Sequence, residues 1–89
     1  MSLSPTIRRR LRCRGVVQGV GFRPAVYRLA VDHGLGGFVR NDADGVTIEV
    51  EGAARAVTDF EAQLQGALPP RARLVELTVE DAACDGHRD

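Results

Sequence analysis

The stretch RGVVQGVGFR, residues 14–23, combines residue types that suit an anion-binding loop. It has glycines at positions 15, 19 and 21, an arginine at each end and no acidic residue. Glycine tolerates positive φ angles and lets a ligand come close to the backbone. Main-chain N–H groups that curl around a concavity bind anions, and the guanidinium of Arg23 adds a planar pair of donors for phosphate oxygens. The stretch predicts either an anion cradle or a plain tight turn, and the residues alone leave both open.

Two familiar phosphate motifs do not fit this loop. A P-loop needs a lysine and a serine or threonine after its glycines, and neither follows here. The dinucleotide-binding fingerprint needs a parallel α/β sheet, which this chain is not predicted to build.

Hydrophobic periodicity predicts the element order β-α-β-β-α-β. Strands are predicted where apolar and polar residues alternate or a short apolar segment occurs, over residues 7–14, 37–41, 46–51 and 75–80. Helices are predicted where apolar residues recur at helical spacing, from Pro24 to a stop at Gly34 and over residues 53–68. This order predicts an α+β, ferredoxin-like fold, in which a four-stranded antiparallel sheet carries two helices on one face.

In that fold the first strand lies between the fourth and the third and is antiparallel to both. Its outward face is a row of arginines, Arg8, Arg10, Arg12 and Arg14. The outward faces of its neighbours carry glutamates at positions 76 and 80 on one side and 49 and 51 on the other. Opposite charges on adjacent strands contribute about 0.2–1 kcal/mol per pair. The row therefore predicts ion pairs across the sheet rather than a nucleic-acid interface.

Length and composition predict one cytoplasmic domain. The 89 residues fit a single domain, 1–89, with a core over about residues 7–81 and a polar tail over 82–89. Twelve arginines balance 12 acidic residues, which argues against non-specific nucleic-acid binding. The chain has no apolar run that would span a bilayer and no apolar segment typical of a secretory signal.

The two cysteines are predicted to be free thiols, with Cys13 buried. In the predicted fold Cys13 and Cys84 lie at opposite ends of the sheet, about 25 Å apart at about 3.3 Å per residue. A disulfide needs Cα atoms within about 7 Å of each other. The segment CDGH, from Cys84 to His87, is at best half a metal site, so no metal is predicted.

Other reactive side chains have structural explanations. Asp42 and Asp44 belong to the turn cluster NDADG. His33 ends a helix and His87 lies in the polar tail, so both are predicted to be surface residues. Phe38 is the one aromatic residue on a predicted strand, which makes an RNA-recognition sheet a poor fit.

The motif GVVQGVGFR, followed by GFVRN at residues 37–41, resembles the acylphosphatase family over about residues 11–80. The resemblance implies the ferredoxin-like fold and hydrolysis of acyl phosphates without a cofactor. It implies that Arg23 binds the substrate phosphate and that Asn41 orients the attacking water. It also implies that loop N–H groups bind the phosphate, those of Gln18, Gly19, Val20, Gly21 and Phe22.

The stretches GFRPAVYRLA and LPPRARLVEL are most similar to the N-terminal acylphosphatase-like domain of the HypF family, the carbamoyltransferases of nickel–iron hydrogenase maturation. This similarity implies carbamoyl phosphate as the substrate and further domains of a maturation protein as partners. Two alternatives remain open: a stand-alone acylphosphatase of broad specificity, and a non-catalytic module that binds anions or a partner.

Overall fold

The computed structural model describes residues 5–84. Its elements follow the predicted order, with a short 3₁₀-helix added after the second helix. They are β1 (Thr6–Val16), α1 (Phe22–Asp32), β2 (Gly36–Asp42), β3 (Gly45–Ala53), α2 (Ala54–Gln63), the 3₁₀-helix (Gln65–Ala67) and β4 (Arg73–Ala82).

The strands form one antiparallel sheet in the order β2-β3-β1-β4. β1 is central, because it pairs with β3 on one side and with β4 on the other. Helix α1 packs on β2, and α2 packs on β3 and β1. The predicted ferredoxin-like fold is confirmed. Since β1 and β2 are both antiparallel to β3, their carboxyl ends reach the same edge of the sheet.

The core lies between the helices and one face of the sheet. Its largest fully buried side chains include Leu11 and Ile48 from the strands and Phe22 and Phe60 from the helices. Burying a side chain of this size contributes about 1.5–3 kcal/mol. Cys13 lies in the same core, and both cysteines are free, as predicted. Burial, assisted by the nearby charge of Asp42, raises the pKa of the Cys13 thiol to about 11.

The other face of the sheet carries the predicted ladder of ion pairs. Glu49 accepts hydrogen bonds from Arg8 Nε at 2.6 Å and from Arg10 Nε at 2.7 Å. Arg10 also reaches across to β4, where its Nη1 donates to Glu80 at 2.6 Å. Nearer the loop the pairs are longer, with Arg14 lying 3.7 Å from Glu76. The arginine row is therefore neutralised by its neighbouring strands.

Phe38 lies on this outer face, directly opposite Glu49 in the strand register. The guanidinium carbons of Arg8 and Arg40 lie 5.9 and 5.1 Å from the centre of its ring. Such distances are typical of cation–π contacts. The ring remains 37% exposed, and the arginines that flank it belong to the same outer face of the sheet.

Several predicted boundaries differ from the structure, since α1 begins at Phe22 and β4 spans Arg73–Ala82. Two further differences have a clear physical cause. Helix α2 ends at Gln63, and the chain tightens into 3₁₀ turns with bonds from Leu64 N to Glu61 O and from Ala67 N to Leu64 O. Strand β1 extends to Val16, because a bulge lets its last residues pair with β4. Gly15 permits this bulge: its φ is 136°, and a Cβ there would lie 2.2 Å from the Arg73 carbonyl oxygen.

Candidate active site

The connection between β1 and α1 is an exposed loop held at both ends by buried side chains. Val17 and Phe22 are buried in the core at either end. Between them, Gly19 and Gly21 have φ angles of 74° and 81°. A Cβ would meet nothing within 4 Å at Gly19, and only Pro69 Cγ at 3.7 Å at Gly21. The two glycines are therefore required for backbone conformation and not for lack of space.

The N–H groups of this loop are available to a ligand. Within residues 5–84, the backbone hydrogen bonds outside the helices and strand ladders include none donated by residues 17–23. Phe22 and Arg23 open α1, and the first N–H groups of a helix have no partner inside it. Gly21 caps the helix without any side-chain bond. The loop and the helix start thus offer unpaired donors and partial positive charge to an anion.

Arg23 stands at this helix start with an exposed side chain. No acidic residue occupies the first turn of α1. The ion pairs of residues 5–84 engage the arginines of β1, and Arg23 takes part in none of them. Its guanidinium is consequently an uncompensated positive charge beside the loop.

Asn41 lies near the carboxyl end of β2, at the same edge of the sheet as the loop. It pairs with Val46, and Val46 in turn pairs with the buried Cys13. Paired residues point to the same face, so Asn41 lies on the helix-bearing face of the sheet, the face on which α1 packs. Its side chain is exposed.

Gln18 joins the loop to the hairpin that carries Asn41. Its side-chain Nε2 donates to the carbonyl oxygen of Gly45 at 2.8 Å and to that of Asp42 at 3.2 Å. The sequence suggested only a main-chain role for Gln18. A long amide side chain between loop glycines was the available signal of a second role, but its partners are 24 and 27 residues away.

The hairpin turn is held by Asp42, as its place in the turn cluster predicted. One carboxylate oxygen of Asp42 accepts from the Asp44 N–H at 3.1 Å, and the other accepts from the Thr47 hydroxyl. The Thr47 hydrogen bond is the main reason that the pKa of Asp42 is lowered. Asp42 is therefore committed to the turn.

The described residues contain neither a cluster of metal ligands nor a membrane-spanning helix. No three His, Cys, Asp or Glu side chains of residues 5–84 are grouped to hold a metal ion. The CDGH segment is described only as far as Cys84, and His87 lies outside the described residues. Neither helix of the described chain has the length and apolar character needed to cross a membrane.

The sequence profile of the acylphosphatase family matches residues 9–89. This chain belongs to the acylphosphatase family. An acylphosphatase of Synechococcus sp. is 44% identical over 83 residues, which cover 92% of this chain and 70% of that protein. The acylphosphatase domain is accordingly an acyl phosphate hydrolase.

The chain is also similar to one part of much longer proteins. Carbamoyltransferase HypF2 of Cupriavidus necator is 51% identical over 84 residues, covering 94% of this chain and 10% of that protein. The acylphosphatase domain therefore spans about a tenth of the length of this curated relative.

The solved structures that match this chain likewise include a much longer protein and one of similar length. A crystal structure of full-length HypF in the phosphate- and nucleotide-bound form matches with a TM-score of 0.93 and 31% identity, over 99% of this chain and 12% of that one. The Bacillus subtilis acylphosphatase matches with a TM-score of 0.83 and 31% identity, over 94% of this chain and 93% of that one.

Proposed function

We propose that this acylphosphatase domain hydrolyses carbamoyl phosphate to carbamate and inorganic phosphate as part of a longer carbamoyltransferase. One observation carries the proposal: three features lie together at one edge of the sheet. They are the loop with its unpaired N–H groups, the Arg23 side chain beside it, and the hairpin that bears Asn41. The carbamoyl group is suggested by the relatives, because those with 51% identity are named carbamoyltransferases.

Phosphate binding is assigned to the loop and to Arg23. The N–H groups of residues 18–22 surround the phosphoryl oxygens, and the helix start adds partial positive charge. The Arg23 guanidinium donates two parallel hydrogen bonds to the same group. These donors are held in place before the substrate arrives, so they stabilise the dispersed charge of the phosphoryl-transfer transition state.

Asn41 is assigned to the attacking water. An amide has both a donor and an acceptor, so it can hold a water and direct its lone pair at phosphorus, in line with the departing carbamate. Carbamate, like other carboxylates, is a good leaving group, and the reaction therefore needs positioning and charge stabilisation more than a covalent nucleophile. The water proton passes to an oxygen of the substrate phosphoryl group.

Two further assignments belong to this proposal. The partners of the domain are the remaining parts of a longer maturation protein, and neither a nucleic acid nor a membrane is a partner. The location is the cytoplasm, a reducing compartment that suits the two free cysteines.

The test is phosphate release from carbamoyl phosphate and from acetyl phosphate, measured with a chelator present. We expect the wild type to hydrolyse both, with the higher kcat/KM for carbamoyl phosphate. Arg23→Ala should lower kcat/KM by about 100-fold or more, the scale seen when one preorganised charge-stabilising donor is removed. Arg28→Ala, an exposed arginine on the same helix, is the matched control and should leave turnover unchanged.

The alternatives give different results in the same assay. Equal kcat/KM values for the two substrates would favour a stand-alone acylphosphatase of broad specificity. Phosphate binding without turnover of either substrate would favour a non-catalytic anion-binding module.

A further inference from the structure

We infer that Gln18 is a positioning residue, whose side-chain amide ties the phosphate loop to the β2–β3 hairpin and so sets the place of Asn41 relative to the bound phosphate. The inference rests on the proposed roles of the loop and of Asn41. It assigns Gln18 a side-chain function in addition to its main-chain N–H.

The amide of Gln18 spans the whole turn of the hairpin. Its Nε2 donates to the carbonyl oxygens of Gly45 at 2.8 Å and Asp42 at 3.2 Å. Asp42 and Gly45 are opposite each other in the register of β2 and β3, so they are the two ends of the turn. A side-chain amide has two N–H hydrogens, which is enough to supply one to each end of the turn.

Strand pairing does not make this connection. The ladder between β1 and β3 ends at the pair Cys13 and Val46. Beyond Cys13, β1 is paired only with β4, as far as Val16. Among residues 5–84, no backbone hydrogen bond outside the helices and strand ladders links residues 17–21 to the hairpin. The Gln18 amide thus supplies the hydrogen bonds between the loop and the hairpin beyond the end of the ladder.

The hairpin end is rigid enough to transmit this restraint to Asn41. Asp42 follows Asn41 directly, and its carboxylate is bonded to the Asp44 N–H and the Thr47 hydroxyl. On its other side Gly45 packs closely against β1, because a Cβ there would lie 2.1 Å from the Cys13 carbonyl oxygen. A shift of the Asp42 carbonyl therefore moves the neighbouring Asn41 with it.

Loss of the two bonds should affect turnover and phosphate binding differently. The main-chain N–H groups and Arg23 do not depend on the Gln18 side chain, so phosphate should still bind. The water-orienting amide of Asn41 would lose its fixed distance from the phosphate. A misplacement of about 1 Å in a reacting group lowers rates by about 100-fold.

The first test is Gln18→Met, which keeps the length of the side chain and removes both donors. We expect kcat for the preferred acyl phosphate to fall about 10- to 100-fold, while the inhibition constant of inorganic phosphate changes less than about 2-fold. Gln65→Met is the matched control, because Gln65 is exposed in the 3₁₀-helix, and it should leave both constants unchanged. Unchanged kcat in Gln18→Met, or a phosphate affinity that falls as much as kcat, would overturn the inference.

The second test is a double-mutant cycle with Asn41→Ala. If Gln18 acts through Asn41, Gln18→Met should cause no further loss of kcat once Asn41 is replaced. Effects that multiply in the double variant would show an independent role and refute the positioning role. Gln18→Asn, which keeps the amide but withdraws it by one methylene, should repeat the loss of kcat and serves if Gln18→Met does not fold.

A spectroscopic measurement separates this inference from the proposed function. In wild-type protein, inorganic phosphate should shift the side-chain amide signals of Asn41, and in Gln18→Met this shift should be smaller. If the wild type binds phosphate but hydrolyses no acyl phosphate, the proposed function fails. This measurement would still test whether the Gln18 side chain positions Asn41. If the Asn41 signals of the wild type and of Gln18→Met are identical, both with and without phosphate, the positioning role of Gln18 is refuted.

Discussion

Arg23 differs from the arginines of β1 in what surrounds it. Arg8 and Arg10 donate to glutamates on neighbouring strands and are therefore compensated within the fold. Arg23 has an exposed side chain at a helix start that carries no acidic residue. The positive charge of Arg23 is thus available to a ligand, and it lies next to the loop and the helix start.

Replacing Arg23 with lysine tests the geometry of that charge. Lys keeps the positive charge but lacks the planar pair of donors, so Arg23→Lys should raise the inhibition constant of inorganic phosphate about 10- to 100-fold, as expected for loss of a hydrogen bond to a charged group. Competition assays with inorganic phosphate measure this. Arg28→Lys on the same helix should change nothing, and near-normal affinity in Arg23→Lys would exclude the bidentate contact.

Replacing Asn41 separates water positioning from phosphate binding. Asn41→Ala should lower kcat by about 100-fold and change phosphate affinity by less than about 3-fold, because the phosphate donors lie on the loop and on α1. Steady-state kinetics with phosphate as the inhibitor give both constants. A loss of phosphate affinity with normal turnover of bound substrate would instead make Asn41 a binding residue.

At the scale of elements, the loop depends on backbone conformations that favour glycine. Gly21 has a φ of 81°, and a Cβ there would meet no atom closer than 3.7 Å. Gly21→Ala should therefore lower the free energy of unfolding by about 1 kcal/mol through backbone strain alone. The variant should also weaken phosphate binding, because relief of the strain redirects the neighbouring N–H groups. Urea unfolding and phosphate titration measure the two effects.

Gly66→Ala is the control for that substitution. Gly66 lies in the 3₁₀-helix without a positive φ, and a Cβ there would meet nothing within 4 Å. Its replacement should leave the free energy of unfolding unchanged or slightly raised. A Gly21→Ala variant as stable and as competent in phosphate binding as Gly66→Ala would contradict the conformational role of Gly21.

For the whole molecule, the ion-pair ladder predicts loss of stability in acid. Burial raises the pKa of Glu49, but the hydrogen bonds and charges of Arg10 and Arg8 together outweigh it, so the net pKa lies below the ordinary 4.5. A carboxylate whose pKa is lower in the folded state stabilises the fold at pH values above the unfolded-state pKa. That stability is lost as the pH falls through the folded-state pKa. The free energy of unfolding should therefore decrease below about pH 4.5.

Glu49→Gln tests this assignment. It should lower the free energy of unfolding at pH 7 by about 1–3 kcal/mol, because Arg8 is almost fully buried and loses a charged partner. It should also flatten the acid dependence without abolishing it, since the pKa of Asp42 is lowered too. Glu76→Gln is the control: this side chain is 58% exposed and 3.7 Å from Arg14, so the change should stay within about 0.5 kcal/mol. If the free energy of unfolding falls in parallel for the wild type and Glu49→Gln as the pH is lowered, the role of Glu49 is contradicted.

Much of this molecule follows from the sequence alone. Alternation and helical spacing predict the apolar faces, which are buried on β1, β3 and both helices but stay exposed at Val75, Leu77 and Val79 on β4. The element order then makes β1 central. The glutamates that neutralise Arg8 and Arg10 follow from that order, since neighbours in a sheet meet at fixed register. The glycines at positions 19 and 21 predict positive φ angles, which the loop has. Each of these features follows from a local sequence pattern once the sheet topology is known, and this element order allows few topologies.

Tertiary structure decided what depends on the meeting of distant segments. The Gln18 amide contacts carbonyl oxygens 24 and 27 residues away, and main-chain carbonyls have no signature in a sequence. The bulge at Gly15 reflects the close approach of the Arg73 backbone. The contacts of Arg8 and Arg40 with the Phe38 ring bring together side chains from two strands. The roles of Arg23 and Asn41 remain predictions. Periodicity specifies the face on which a side chain lies, whereas packing in three dimensions determines which atoms it reaches.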